Sequence, residues 1–514
     1  DAQRLQTFAR DLLSVGDDAT ATAFDTTLME LMQRYPDTTL ETRYERDLKI
    51  WVDRERARFS SWYELFPRSW GEPGQHGTLR DVADRLEYVA AMGFDVLYLP
   101  PIHPIGHSFR KGKNNTTESG PGDTGSPWAI GSAEGGHTSI LQELGTFSDL
   151  AYLIEQLKAR GMELAMDIAF QCAPDHPWVT EHPEWFKKRA DGSIQYAENP
   201  PKKYQDIYPL DFESSGWQGL WDALKHVFMF WAEKGVRIFR VDNPHTKAFP
   251  FWEWLIAEVQ RTFPDVILLA EAFTRPRVME RLAKSGYTQS YTYFTWRTTK
   301  AELETYLTEL TRTPVREYMR PNFWPNTPDI LPVELQTGGL PAFRSRLVLA
   351  TTLCSNFGMY GPAYELGVNA PFKPGGEEYL NSEKYEIKQW DLDAPNSLRP
   401  LITRLNAARR AHPALQRNER LVFHTAENAN LIAYSKTSAD GADAVLTIVN
   451  LDPFNVQSGW VTLDQNALGL SAGEVYEVYD LLADRGYTWT GARNYVELRP
   501  LEVPAHVFEL RRRR

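Results

Sequence analysis

Apolar positions along most of this chain alternate between two textures, helical stripes spaced three and four apart and short unbroken runs. A stripe of Leu79, Val82, Leu86 and Val89, opened by the N-cap candidate Thr78 and closed by Gly93, feeds an apolar run over 94–100. The unit recurs: Ser148 leads into Leu150, Leu153, Ile154 and Leu157, Gly161 stops the helix, and a run follows over 162–170. A third helix stops at Gly235 before a run over 236–241, and a fourth spans 251–263 before a run over 266–270. Helices alternating with continuously apolar strands predict βαβ units around a buried parallel sheet. Candidate strands at 62–66, 291–296, 322–323 and 357–360 bring the count to eight, the number of a (β/α)₈ barrel.

Outside that repeat the pattern changes three times. Residues 1–59 read as a helical segment, with Leu5, Phe8, Leu12 and Leu13 on one face, Phe24, Leu28, Leu31 and Met32 on another, and a charged, solvated stretch over 43–58. The Gly- and Asn-rich stretch 106–145 is too long for an ordinary loop and predicts a small subdomain inserted after strand two. A last amphipathic helix over 398–412 carries Leu398, Leu401, Ile402 and Leu405; after Pro413 short alternating runs at 431–435, 444–450, 460–463, 475–481, 495–498 and 506–510 predict an antiparallel β-sandwich. The expected fold class is α/β: an N-terminal helical segment (1–59), a barrel with its insertion (60–416) and a C-terminal sandwich (417–514).

Composition narrows the partners. The net charge of -12 argues against duplex nucleic acid or an anionic membrane as partner, and no run approaches the roughly 18 apolar residues of a membrane helix. The two cysteines, Cys172 and Cys354, are too few for a zinc site or a disulfide framework and suit a reducing cytoplasm. Both are expected as small buried residues, and Arg511 to Arg514 as an exposed terminus. The chain opens at Asp1 without a Met, so further sequence is expected upstream.

In a barrel of this kind chemistry sits where the strands end. The predicted ends present His103 after the second strand, Asp167 on the third, Arg240 and Asp242 on the fourth, Glu271 on the fifth and Asp329 after the seventh. Arg240 and Asp242 share a strand face, so a guanidinium would keep Asp242 ionised, as a nucleophile requires. Glu271 follows an apolar run that would raise its proton affinity, as a general acid requires. Paired carboxylates in opposite protonation states are the equipment of glycoside chemistry.

The ordered set Asp167, Arg240-Val241-Asp242, Glu271 and Asp329 resembles the α-amylase superfamily, glycoside hydrolase family 13, over roughly residues 60–514. The resemblance implies Asp242 as nucleophile, Glu271 as acid/base, Asp329 as transition-state stabiliser and Asp167 as a structural carboxylate. Strand three departs from amylases: it reads Asp167-Ile168-Ala169-Phe170-Gln171-Cys172, without the Asn that commonly binds calcium or the sugar-contacting His, and Asn326 to Asp329 also lacks a His. These variants, with the stretches 110–115, 125–131, 198–206 and 242–245, look like those of the maltosyltransferases that extend α-1,4-glucans from α-maltose 1-phosphate. That resemblance implies no metal or other cofactor, and as partners the sugar phosphate and a maltooligosaccharide acceptor; it also raises a homodimer, whose family contacts involve a further N-terminal domain. Lys111, Lys113, Lys202 and Lys203, basic spots in long loops of an acidic chain, are expected to serve phosphate with Tyr204 and Asn243. Gln171 and Trp128 are expected to hold hydroxyls and stack a sugar ring, beside Arg240 and Asp167. The rival readings are a hydrolase or trehalose synthase of the same superfamily, or a catalytically inactive glycan-binding barrel.

Overall fold

A computed structural model describes residues 1–14, 16–48, 50–199 and 202–512. Its chain divides into two compact units, residues 1–52 and 53–514. The first holds three helices, Ala2–Leu12, Asp17–Ala23 and Thr26–Arg34, the last capped by Asp25, whose carboxylate accepts the backbone N–H groups of Thr27 and Leu28. Leu28 and Leu31 are its buried residues.

The second unit begins at the base of a barrel. Residues 54–58, expected in solvent, are docked: Arg54 pairs with Glu163 at 2.6 Å and Arg56 with Asp95 at 2.6 Å, tying them to the starts of strands two and three. Six parallel strands follow in order: Ser60–Glu64, Val96–Leu99, Glu163–Ile168, Ile238–Asp242, Ile267–Glu271 and Gln289–Ser290. The eighth, Asn356–Tyr360, pairs in parallel with the first. Residues 321–323 close the ring between them, Pro321 bridging Ser290 and Phe323 bridging Phe357. Strand six is earlier and shorter than its sequence predicts. Tyr293–Trp296 is a 3-10 turn in which Thr292 caps the N–H of Phe294, whose ring stacks on Phe323 at 4.5 Å, so an aromatic run that reads as strand is used for packing.

The helices between strands start as their caps dictate. Thr78 with Asp81 and Thr146 with Asp149 form capping boxes, so the second helix starts at Phe147, ahead of Ser148. Two excursions leave the barrel rim. The stretch 106–145 has no regular strand and is held by single bridges and 3-10 turns. A second, not foreseen, lies between strands three and four and carries two small antiparallel pairs, Gln171–Cys172 with Tyr208–Pro209 and Ala197–Asn199 with Lys202–Tyr204. They meet at Asp175, whose carboxylate accepts the N–H groups of His107 and Ser108, and at His176, which fits only because Gly131, at φ +108°, carries no Cβ to strike its ring.

Past the last helix of the barrel, Arg399–Ala411, and a 3-10 turn, Pro413–Gln416, the chain becomes all-β. Two strands beyond those foreseen, Leu421–Ala426 and Arg485–Thr490, complete a continuous eight-stranded antiparallel sheet. It folds over on itself: Trp489 and Val496, on its two edge strands, share one core with Leu431, Leu446 and Val478 from its middle. A further set of its apolar residues, including Leu421, Ile432, Tyr434 and Val449, joins the core of the barrel. Among the described residues no helix is long and apolar enough to cross a membrane.

Candidate active site

The parallel register sets Asp242 on strand four opposite Glu271 on strand five, and Arg240 opposite Asp167 on strand three. Neighbouring strands lie about 4.8 Å apart, so the two carboxyl side chains leave adjacent backbones at the same level of the rim. Arg240 is the hub. Its Nη1 reaches Asp167 Oδ2 at 2.9 Å and Asp242 Oδ1 at 2.8 Å, and its Nη2 reaches Glu271 Oε1 at 3.1 Å. The guanidinium lies between the rings of Tyr98 and Tyr291, at 5.9 and 5.8 Å, and Tyr98 donates its hydroxyl to Asp167.

Asn243 turns the chain at the end of strand four with φ 43°, a left-handed conformation that Asn tolerates. Its backbone N–H points to Glu271 Oε2 at 3.3 Å while its side-chain amide donates to Asp242 Oδ2 at 3.2 Å, so one residue holds both carboxylates. Burial, against the nearby Arg240 and with the neighbouring Asp242 and Asp329 charges, pushes Glu271 up to about 8. Burial likewise raises Asp167 to about 7 despite Arg240.

Asp329 sits in a tight turn closed by reciprocal backbone bonds between Thr327 and Ile330. Asn326, three residues before Asp329, anchors this turn by accepting the N–H of Tyr360 and donating to Tyr379. Burial would raise Asp329, but an ion pair with Lys384, reinforced by Lys202 and Arg240, holds it below the usual carboxylate range. The Lys384 ammonium also lies over the Trp128 ring, 5.0 Å from its centroid. Lys384 is the main residue that sequence reasoning missed: it comes from the long loop after strand eight, where no local pattern marks it. Glu64 was missed too, although its place at the end of strand one is a signal; it is fully buried, and burial raises it well above the carboxylate range.

A cavity of about 650 Å³ opens above these groups. Of the expected site residues, Asp242, Asp329, Trp128, Gln171, Lys111, Tyr204 and Asn243 line it, joined by Lys247 and Lys384. Gln171 donates its amide to the Trp128 carbonyl at 3.1 Å. Lys111 is buried and donates to Gln205. Two expected phosphate ligands face solvent instead. Alternation along Lys202–Tyr204 puts 202 and 204 on one face and Lys203 on the other, and Lys113 projects from the turn Lys113–Asn115. Lys202 pairs with Glu378 at 2.9 Å. Pro200 and Pro201 of the 198–206 motif, and Arg513 and Arg514, lie outside the described residues. Cys172 and Cys354 are buried, as expected.

His103, expected at the rim, is buried beside it, its Nδ1 donating to Ser139 O at 3.0 Å, and burial lowers it to about 4. Beyond it lie His137, His176 and Cys172, whose ligand atoms fall within 4.8 Å of one another. Hydrogen bonding fixes their protons. His176 Nδ1 accepts the Trp178 N–H, so its Nε2 carries the proton and donates to His137 Nδ1 at 3.1 Å; His137 Nε2 then donates to Ala169 O at 3.0 Å. Both nitrogens that would face a metal are thereby committed to each other.

A barrel whose rim carries carboxylates on strands four and five around a shared arginine, followed by an all-β C-terminal sheet, is an enzyme of the α-amylase fold. Residues 64–228 match the family described as alpha amylase, catalytic domain. The α-amylase of Lactobacillus plantarum superposes with a TM-score of 0.67 over 89% of this chain and 100% of its own, at 21% identity. The maltogenic α-amylase AmyB of Thermotoga neapolitana gives 0.68 over 89% and 100%, at 16% identity. At that identity the likeness concerns the fold. Residues 423–510 match the family described as GLGE, C-terminal. Over 97% of its length the chain is 55% identical to the alpha-1,4-glucan:maltose-1-phosphate maltosyltransferase of Chlorobaculum tepidum, covering 76% of that protein. It is 52% identical to that of Rhodospirillum rubrum, over 98% and 73% of the two chains. The chain belongs to the alpha-1,4-glucan:maltose-1-phosphate maltosyltransferase family.

Proposed function

We infer that the protein transfers a maltosyl unit from α-maltose 1-phosphate to the 4-hydroxyl at the non-reducing end of an α-1,4-glucan, with retention of configuration. The observation that carries this is the pairing of Asp242 with Glu271 through Arg240, in a chain more than half identical to such transferases. Asp242 attacks the anomeric carbon, the bond to phosphate breaks, and its electron pair leaves on phosphate as Glu271 delivers a proton. The resulting ester on Asp242 is then displaced by the acceptor hydroxyl, whose proton passes to Glu271. Two inversions give retention. Arg240 and the Asn243 amide each hold one oxygen of the nucleophile, whereas burial of Glu271 keeps its acid form populated at neutral pH.

Asp329, held anionic by Lys384, is placed to take hydroxyls of the reacting sugar and to favour positive charge at its anomeric carbon. Trp128 and Gln171 give the donor sugar a wall and a hydrogen-bonding edge. Lys111, Tyr204 and Asn243, which line the cavity, and Lys202 beside it are the groups we assign to phosphate. The test is phosphate release from α-maltose 1-phosphate with and without maltohexaose, in the natural protein and in Asp242→Ala. Release that requires the acceptor and disappears in the variant is expected; equal release without acceptor, with maltose as product, would mean a hydrolase.

A further inference from the structure

Arg68 is buried in the 3-10 turn Pro67–Ser69, which follows strand one of the barrel. We propose that it is a positioning residue for the transfer: by tying two rim loops to the barrel it holds the Lys384 ammonium against Asp329 and over Trp128. This rests on the function proposed above.

The guanidinium is a fork with one prong in each loop. Its Nη1 donates to the carbonyl of Gly125 at 3.0 Å, in the excursion 106–145, and its Nη2 donates to the carbonyl of Glu383 at 2.5 Å, in the loop after strand eight. Each carbonyl stands close in sequence to a side chain of the site. Gly125 leads into a turn closed by the N–H of Ala129 on Ser126 O at 3.0 Å, which carries Trp128. Glu383 lies inside a turn closed by the N–H of Tyr385 on Ser382 O at 3.0 Å, which carries Lys384. A tight turn moves as a unit, so the position of either carbonyl sets that of the side chain beside it. The base of the fork is fixed: Arg68 O accepts the N–H of Gly77 at 2.8 Å, and the guanidinium lies over Phe66, 5.6 Å from its centroid.

The way Arg68 is held points to reach and not to charge pairing. Glu383 turns its carboxylate to Tyr360 and Trp390 and offers Arg68 only its carbonyl. The Arg68 Nε is buried without a hydrogen-bond partner. Burial lowers Arg68 to about 10, which leaves it cationic at neutral pH, so the group gives up hydration for two carbonyls. Only a planar fork spans two such acceptors at once; an ammonium is a point charge. The same loops meet again at the surface, where Asn114 and Asn381, left-handed at φ 55° and 53°, exchange hydrogen bonds at 2.9 and 2.6 Å.

The test is a double-mutant cycle with Lys384. Arg68→Gln, and Arg68→Lys, which keeps the charge without the fork, should each lower kcat/KM about 10- to 100-fold for α-maltose 1-phosphate and equally for maltosyl fluoride, because it is the sugar that is misplaced. In Lys384→Met either substitution should cost less than about twofold more, since the group it positions is already gone. Labelling with acetic anhydride, read by mass spectrometry, follows the same contact without turnover. Lys384 should acetylate several-fold faster in both Arg68 variants, while Lys436, buried in the C-terminal sheet, stays as slow as before. Equal losses with and without Lys384, unchanged labelling of Lys384 in both variants, or a parallel rise at Lys436 would each overturn the proposal. If the natural protein turned over neither donor, the functional reading would fall, while the labelling would still decide what Arg68 holds in place.

Discussion

Asp167, Asp242 and Glu271 surround one guanidinium in a site from which water is nearly excluded. Truncating Arg240 leaves these groups without a countercharge, a change that typically removes about 3–5 kcal/mol of stability. Arg240→Gln is therefore expected to lower the unfolding free energy in urea by roughly that amount and to abolish transfer. A variant as stable as the natural protein would show that the carboxylates simply take up protons. Glu271 sets the pH profile. Burial raises its pKa to about 8, so the acid form that assists phosphate departure is present below that value and lost as pH rises through it. In rapid-mixing experiments the donor half-reaction should fall above about pH 8, and Glu271→Gln should remove that limb.

At the scale of elements, the small pair Ala197–Asn199 with Lys202–Tyr204 turns a sequence of adjacent polar residues into two faces. Lys202→Ala and Tyr204→Phe should raise the KM for α-maltose 1-phosphate and leave maltosyl fluoride far less affected, because its leaving group makes little use of an ammonium. Lys203→Ala should do neither; equal losses at all three positions would mean that the hairpin only shapes the rim. The excursion 106–145 is fastened to the barrel by His137, bonded to His176 and to Ala169. Burial lowers His103 to about 4 and His176 to about 3, and holds His137 well below the usual imidazole range, so the folded state holds these rings neutral. The unfolded chain, with histidines near 6.5, binds protons first on acidification. Stability contributed by the neutral rings is thus present above about pH 6.5 and lost as pH falls below it, by up to about 1.4 kcal/mol per pH unit for each ring. Urea unfolding between pH 7 and pH 5 should show this slope, and His176→Phe should reduce it.

For residues 53–514 the barrel and the C-terminal sheet share one core. Tyr434 and Thr352 exchange a hydrogen bond between hydroxyls at 2.6 Å, and Ser345 donates to Asn450 O at 3.0 Å, joining the helix Val333–Leu353 to the sheet. Removing everything after Gln416 would expose that apolar seam and orphan these groups. The truncated protein should be insoluble or lack a cooperative melting transition, whereas the barrel and sheet of the longer chain should melt together. A soluble truncation with a sharp transition of its own would show that the sheet is an appendage.

How much of this the sequence determined follows from which interactions are local. Hydrophobic period, capping residues and Gly stops fixed barrel strands two to five, and strand alternation alone put Arg240 and Asp242 on one face. The positions of Asp167, Glu271 and Asp329 were legible because barrel chemistry occurs at strand ends. Where a segment's conformation depended on a distant partner, local pattern failed: Tyr293–Trp296 reads as strand but turns to bring Phe294 onto Phe323. Register is also non-local, and it alone set Asp242 opposite Glu271. Tertiary structure likewise decided which lysines face the cavity, since an ammonium in a loop has no period to betray its direction. Lys384 reaches back to Asp329, 55 residues earlier in the chain, and lies over Trp128, while Lys113 and Lys203 turn to water.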